Sequence, residues 1–235
     1  YTLSLHDALP ISHPTPLTPA WEAELCWWED LLVDWNKVAV LVPRQLTRWD
    51  QQPLVVPHTD ASGGSTGGAG AWFGLEYMIF SFNEKEREFD IMLLEGMVVV
   101  LWLEHLCDTK PELLTGRRFM AKCDNKPFVE SFNEHHSTYP AVAFLLAAIH
   151  ALQAKFSFAL VLEYIKSKDN VGADALSRGD AQAFFDFMMH THHISQKQLT
   201  MVHPRKGRRS EIISSMGYGQ HWRTGMRKGP KRADN

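Results

Sequence analysis

The stretch DIMLLEGMVVVLWLEHL, residues 90–106, limits what this chain can fold into more than any other. It is apolar on nearly every side and too long for an ordinary strand, so it reads as a helix with Asp90 as its N-cap. A helix that is apolar all round has to be covered all round, which calls for a sheet against it and other helices beside it. Glu95 sits inside this run, flanked by Leu93, Leu94, Met97 and Val98. A carboxylate is almost never buried without a partner. That partner would be a cation such as Arg117 or Lys122, or a metal ion. Glu88 and Glu104 lie nearer the ends of the run, where a solvated Glu needs no explanation.

The flanking segments supply the sheet. PLVVPHTD (53–60) reads as a strand ending at Asp60, and ASGGSTGGAG (61–70) as a Gly/Ser-rich turn. The turn lacks the Lys-Ser/Thr and the following helix of a phosphate loop. AWFGLEYMIFSF then reads as the second strand of a hairpin. RRFMAKCD (117–124) is a short strand ending at Asp124, and SFALVLEYIK (157–166) is another strand. Between these two, KPFVESFNEHH and YPAVAFLLAAIHALQAKF read as helices, and VGADALSR opens a last one. Strands separated by helices imply an α/β fold with a mixed sheet.

Upstream, HPTPLTP (13–19) is a Pro-rich linker. The helix after it would be capped by Thr18, with Pro19 in its first turn. One face of that helix carries Trp21, Leu25, Trp28, Leu31, Leu32 and Trp35. The opening YTLSLHDALPIS (1–12) is expected to be an adaptor-derived leader outside the fold.

At 235 residues the chain suits one sizeable domain with extensions, or two small ones. Net charge is -3 but unevenly spread: from Lys197 onward ten Lys/Arg face two acids. A basic end on an acidic body suits a polyanion partner, and equally a solvated tail. HPRKGRR (203–209) has the composition of a phosphate contact, and HTHH (190–193) reads as a surface feature before a metal site. The three cysteines are far apart and form no CxxC, which argues against a disulfide framework and a zinc knuckle. It suits a reducing setting, cytoplasmic or nuclear. No apolar run reaches membrane length, so no membrane partner is expected.

Carboxylates stand at the ends of the predicted elements: Asp60, Asp124 and Asp174, with Glu95 inside its helix. Taken singly, Asp60 and Asp124 read as turn or cap residues and Asp174 as a helix cap. Strands ending at one edge of a sheet bring their last residues together, however. Four carboxylates there would repel one another unless a cation held them. Oxygen-only ligation suits Mg²⁺ or Mn²⁺ rather than zinc. A pair of such ions is the usual equipment for phosphodiester cleavage.

HTDASGGSTGGAGAW, LLEGMVVVLWLEHL, RFMAKCDNKPFVESFN and LEYIKSKDNVGADALSR resemble, in order and spacing, the ribonuclease H domain of retroelement reverse transcriptases of the DIRS and Ty3 types. The most specific motif is the closing Asn-x-x-Ala-Asp-x-Leu-Ser-Arg, complete at residues 170–178. Ser167, in place of the usual Gly, departs from the pattern. The resemblance covers residues 53–180 and implies a ribonuclease H-like fold, with a five-stranded mixed sheet flanked by helices. It implies a metal-dependent endonuclease that hydrolyses the RNA strand of RNA–DNA hybrids. Two ions, Mg²⁺ or Mn²⁺, would be held by the catalytic Asp60, Glu95, Asp124 and Asp174. Nucleic-acid contacts would fall at Ser62, Asn125, Asn170 and Arg178, with Asn125 beside the site and Asn170 fixing the last turn.

WEAELCWWEDLLVDWN resembles the stretch that joins polymerase to ribonuclease H, so residues 13–52 are expected as a helical connection and the polymerase domain as a partner. There is no Tyr-x-Asp-Asp, and the chain is expected to be a piece of a longer protein. Residues 181–235 are expected as a basic, partly disordered C-terminal extension. The alternative is a catalytically inactive ribonuclease H-like module, binding nucleic acid or serving a structural role in a decayed retroelement polyprotein. An integrase or transposase nuclease on the same fold is a third reading, which residues 170–178 disfavour. Oligomeric state is left open.

Overall fold

In the computed structural model, residues 56–64 and 67–215 are described, together with Leu25, Cys26 and Glu29. Those three are exposed helical residues of an N-terminal unit, Tyr1–Lys37, and everything below belongs to a second unit, Val38–Asn235. The expected leader, the rest of the expected connection and residues 216–235 lie outside the described residues.

The sheet is mixed and flanked by helices, as the alternation of strand and helix patterns requires. Its strands are β1 (His58–Ala61), β2 (Gly68–Phe73), β3 (Glu76–Ser81), β4 (Arg118–Cys123), β5 (Ala159–Tyr164) and β6 (Thr200–Val202). They lie in the order β5-β4-β1-β2-β3-β6. β1 is antiparallel to β2 and parallel to β4, and β4 is parallel to β5. β2 and β3 are antiparallel, and β6 adds parallel to β3.

Two expectations are corrected here. AWFGLEYMIFSF is two strands rather than one, because the chain reverses at Gly74, whose φ of 59° is open to glycine. The sheet has six strands rather than five.

The long apolar run is helix α1 (Ile91–Thr109), and the Asp90 side chain accepts the Met92 N–H at 2.9 Å as its cap. Every residue from Leu93 to Leu103 is buried. Each large apolar side chain so covered stabilises the fold by roughly 1.5–3 kcal/mol. After α2 (Pro111–Leu114) come α3 (Lys126–Asn133), α4 (Pro140–Phe156), α5 (Val171–Ser177), α6 (Ala181–His192) and α7 (Arg208–Ser215). No helix among the described residues is long and apolar enough to cross a membrane. The pleat sorts the side chains. Ala71, Phe73 and Met78 join α1, α3 and α4 in one core, while Trp72 and Tyr77 join α5 and α6 in a second.

Residues 181–215, expected within a loosely structured extension, form ordered elements. The cause is apolar and ionic. Phe184 and Met188 of α6 are buried against Trp72 and Tyr77. Arg208 holds Glu104 of α1 at 2.6 Å, and Arg209 pairs with the buried Glu86 and lies 4.2 Å over the Phe80 ring. Two arginines that read as phosphate contacts are therefore taken up inside the fold.

The Gly-rich stretch also has a different use. β2 begins inside it, and α5 lies almost on the strand. A Cβ on Gly70 would sit 2.3 Å from the Ala173 carbonyl oxygen and 2.6 Å from Leu176 Cβ. A Cβ on Gly68 would sit 2.9 Å from the Ser177 carbonyl oxygen. The glycines are there for close helix–sheet approach. Gly70→Ala is expected to destabilise the protein by about 1–3 kcal/mol through overpacking. Gly63→Ala, where a Cβ meets nothing within 4 Å, is expected to fall within about 0.5 kcal/mol of the wild type. Urea denaturation of the two variants measures the difference.

Candidate active site

The strand register gathers the first two acids. β1 and β4 run side by side in parallel with Thr59 opposite Cys123, so the next residue along each strand, Asp60 and Asp124, comes to the same edge. Glu95 reaches them from the first turns of α1. Ligand oxygens of the three carboxylates all lie within 4.8 Å of one another. Asp60 and Glu95 are each 3% exposed, and Asp124 is half-buried. Glu95 is held at both oxygens: Ala61 N–H donates to Oε1 at 3.0 Å, and the Cys123 thiol donates to Oε2 at 3.7 Å. The ion pair with Arg117 or Lys122 that the sequence left open for it does not form.

Burial and crowding act together on the titration of these groups. Burial first, and then the charge of Asp124, push the Asp60 carboxyl from 3.8 up to about 8, opposed by its contact with the Ser177 side chain. Burial and the charges of Asp60 and Asp124 raise Glu95 well above the usual range, opposed by the Ala61 N–H. The Cys123 thiol is pushed up by its burial and by Glu95, which keeps it protonated and able to donate. Asp124 lies close to both Asp60 and Glu95, and each of those two carboxyls is pushed toward its protonated form. A hard divalent cation would displace those protons, and the all-oxygen donor set fits one.

Asp174 does not join the group. It lies in the first turn of α5, half-buried, and it is not the cap, which is Asn170. Its carboxylate turns one helical turn along to Arg178. Nε donates to both oxygens at 2.9 Å, and Nη2 donates to Oδ1 at 2.8 Å. Its charge still reaches Asp60. The structure thus brings three of the four expected metal carboxylates together and leaves the fourth beside them, paired.

The expected nucleic-acid residues have defined contacts within the chain. Asn170 is fully buried. Its Nδ2 donates to the Thr59 carbonyl at 2.9 Å, and its Oδ1 takes the His58 Nδ1–H at 3.0 Å, which ties the turn before α5 to β1. The Ser62 hydroxyl donates to the Ser177 carbonyl at 2.6 Å and accepts the Gly68 N–H at 3.1 Å. The Asn125 side chain accepts the Phe128 N–H at 3.0 Å as the cap of α3. The histidines of 190–193 do not assemble a site: His190 bonds the Asp186 carbonyl, His192 packs on Trp72, and His193 ends α6 at φ 58°.

Three contributors were not anticipated from the sequence. Ser177 touches Asp60 and also donates to the Asp174 carbonyl at 2.9 Å. Cys123 steadies Glu95, and His58 steadies Asn170. The available signals were weak: Ser177 stands three residues after Asp174, Cys123 is next to Asp124, and His58 is two before Asp60 on the same strand face.

No family model matches the chain, and no curated protein matches it. Among solved structures, the chain is similar to LC11-RNase H1, isolated from compost by a metagenomic approach, with a TM-score of 0.46 and 17% identity over 55% of this chain and 97% of that one.

The raised carboxyls give stability a definite pH dependence. Between 3.8 and about 8, folded Asp60 keeps a proton that the unfolded chain has released. Stability is therefore full below that window and falls as pH rises through it. Without divalent cations, Asp60→Asn is expected to be more stable than the wild type near pH 8 by more than about 1.4 kcal/mol, the worth of one pKa unit. The gap should close as pH is lowered toward about 4, the range of the free carboxylate. Urea denaturation in EDTA at several pH values checks both statements.

Proposed function

We propose that this chain carries the ribonuclease H activity of a retroelement reverse transcriptase, cutting the RNA strand of an RNA–DNA hybrid endonucleolytically with two divalent ions, Mg²⁺ or Mn²⁺. One observation carries this reading. Asp60, Glu95 and Asp124, picked out by three separate motifs of the resemblance, come from three different elements to within 4.8 Å. The complete motif at residues 170–178 supports it, because its Asp174 falls beside the same edge and acts on Asp60.

Bound at such a site, divalent ions activate a water and neutralise the leaving oxygen in phosphodiester hydrolysis. The chain's own part is positioning. Glu95, gripped by the Ala61 N–H and the Cys123 thiol, keeps a fixed direction. Asp60 is contacted by Ser177, and Asp124, half-buried, is the most open of the three and would meet an incoming phosphate. Asp174 would complete the ligand set from α5. Ser62, Asn125 and Arg178 stand around this edge, where a sugar–phosphate backbone would pass, and Asn170 holds the turn beneath it. Choice of RNA would come from 2′-hydroxyl contacts in the wide minor groove. The polymerase domain of the same element, joined through residues 13–52, is the proposed partner, and the setting is cytoplasmic or nuclear.

The purified chain should cut the RNA strand of a labelled RNA–DNA hybrid in Mg²⁺, and EDTA should stop it. Asp124→Asn should lower the rate by about three orders of magnitude, since metal ligation is worth several kcal/mol of transition-state stabilisation. A folded chain that binds the hybrid in Mg²⁺ and Mn²⁺ yet cuts nothing contradicts this function and favours the inactive module.

A further inference from the structure

Asp174 stands apart from the other three carboxylates although the backbone around it is pinned in place. The Ser177 hydroxyl donates to its carbonyl, the Ser62 hydroxyl donates to the Ser177 carbonyl, and Gly70 lets α5 rest on the sheet. The freedom that remains is in side chains. Three hydrogen bonds from a single guanidinium, each between 2.8 and 2.9 Å, hold the Asp174 carboxylate. The Arg178 side chain is 65% exposed and that of Asp174 31%, so the arginine reaches in from solvent and covers the acid. Its charge is stabilised by Asp174 first, and by Asp60 and Asp124 as well. A positive charge therefore already stands on the carboxylate that a second divalent ion would have to share.

We propose that Arg178 competes with metal for Asp174, its guanidinium holding that carboxylate until a nucleic-acid phosphate draws the arginine away, so that full metal loading depends on bound nucleic acid. This rests on the metal-dependent nuclease reading given above. Arg suits both partners, because its planar fork matches phosphate as well as carboxylate. An exposed pair of this kind is weak enough to be exchanged at small cost. It is strong enough to reduce affinity for the second ion by about two- to fivefold. Release would put Asp174 in reach of the ions only when a scissile phosphate is near, which would protect other phosphodiesters from a permanently loaded site.

Titration calorimetry of Mn²⁺ into the full chain tests this, with and without a hybrid whose RNA strand is 2′-O-methylated against cleavage. In free protein, Arg178→Gln should bind the second ion about two- to fivefold more tightly than the wild type. Adding the hybrid should remove that difference. Arg178→Lys should fall between the two, since a point charge cannot fork. Circular dichroism confirms folding, and the exposed side chain makes the substitution safe for stability. Equal second-ion affinities in the free wild type and Arg178→Gln overturn the proposal. So does a variant that loses hybrid affinity alone, which would make Arg178 a plain phosphate contact. Absence of any Mn²⁺ binding by either folded protein contradicts the metal-site reading itself, and the competition falls with it.

Discussion

Three carboxylates packed within 4.8 Å of one another repel, and two of them are almost out of water. A fold can keep such a group only if other forces hold its members there. The parallel register of β1 and β4 fixes Asp60 beside Asp124 through backbone hydrogen bonds that no side-chain charge can undo. Continuous burial of α1 then drives Glu95 into the same place, because rotating Glu95 toward water would expose Leu93, Leu94 or Met97. The clustered carboxylates cost stability that the apolar core supplies, and departures of this kind from the rules of the rest of a fold are commonest at functional sites.

The opposite face of the sheet depends on glycine. α5 is short, and what places it is the absence of side chains at Gly68 and Gly70 on β2. Through that contact Ser177 reaches Asp60 and Ser62, and Asn170 reaches Thr59 and His58. The last helix of the motif is thus joined to the first strand and the residue after it by the side chains of Ser177, Asp60, Ser62, Asn170 and His58. The same closeness sets Asp174 near the cluster but leaves its side chain a choice of partner.

Much of this was legible in the sequence, and the illegible remainder has identifiable causes. α1 and its Asp90 cap follow from local pattern, as do strands whose last residues fall within one position of Asp60 and Asp124, since strand ends and helix periodicity are written in neighbouring residues. Glu95 was conspicuous because a charged residue in an all-apolar helix has no local excuse. The glycines of 63–70 misled, because glycine for a turn and glycine for close packing have the same composition. The uses of Arg208 and Arg209 depend on Glu104 and Glu86, 104 and 123 residues away, and no local rule reaches that far. The sixth strand was missed for a similar reason: three residues with two exposed carry almost no periodic signal, and β6 exists because β3 offers it an edge. Asp174, expected as a fourth ligand, stands outside the group of three, and its pairing with a residue one turn later is an ordinary helix contact that the larger pattern obscured.

The edge formed by Asp60, Glu95 and Asp124 should bind a divalent cation directly. The most direct test is anomalous diffraction from crystals of the chain soaked in Mn²⁺, collected beside crystals of Asp60→Asn treated alike. An anomalous peak bounded by the three carboxylates is expected in the wild type, and its loss or weakening in the variant. Well-ordered crystals showing all three side chains in place, with no peak among them at saturating Mn²⁺, would contradict it.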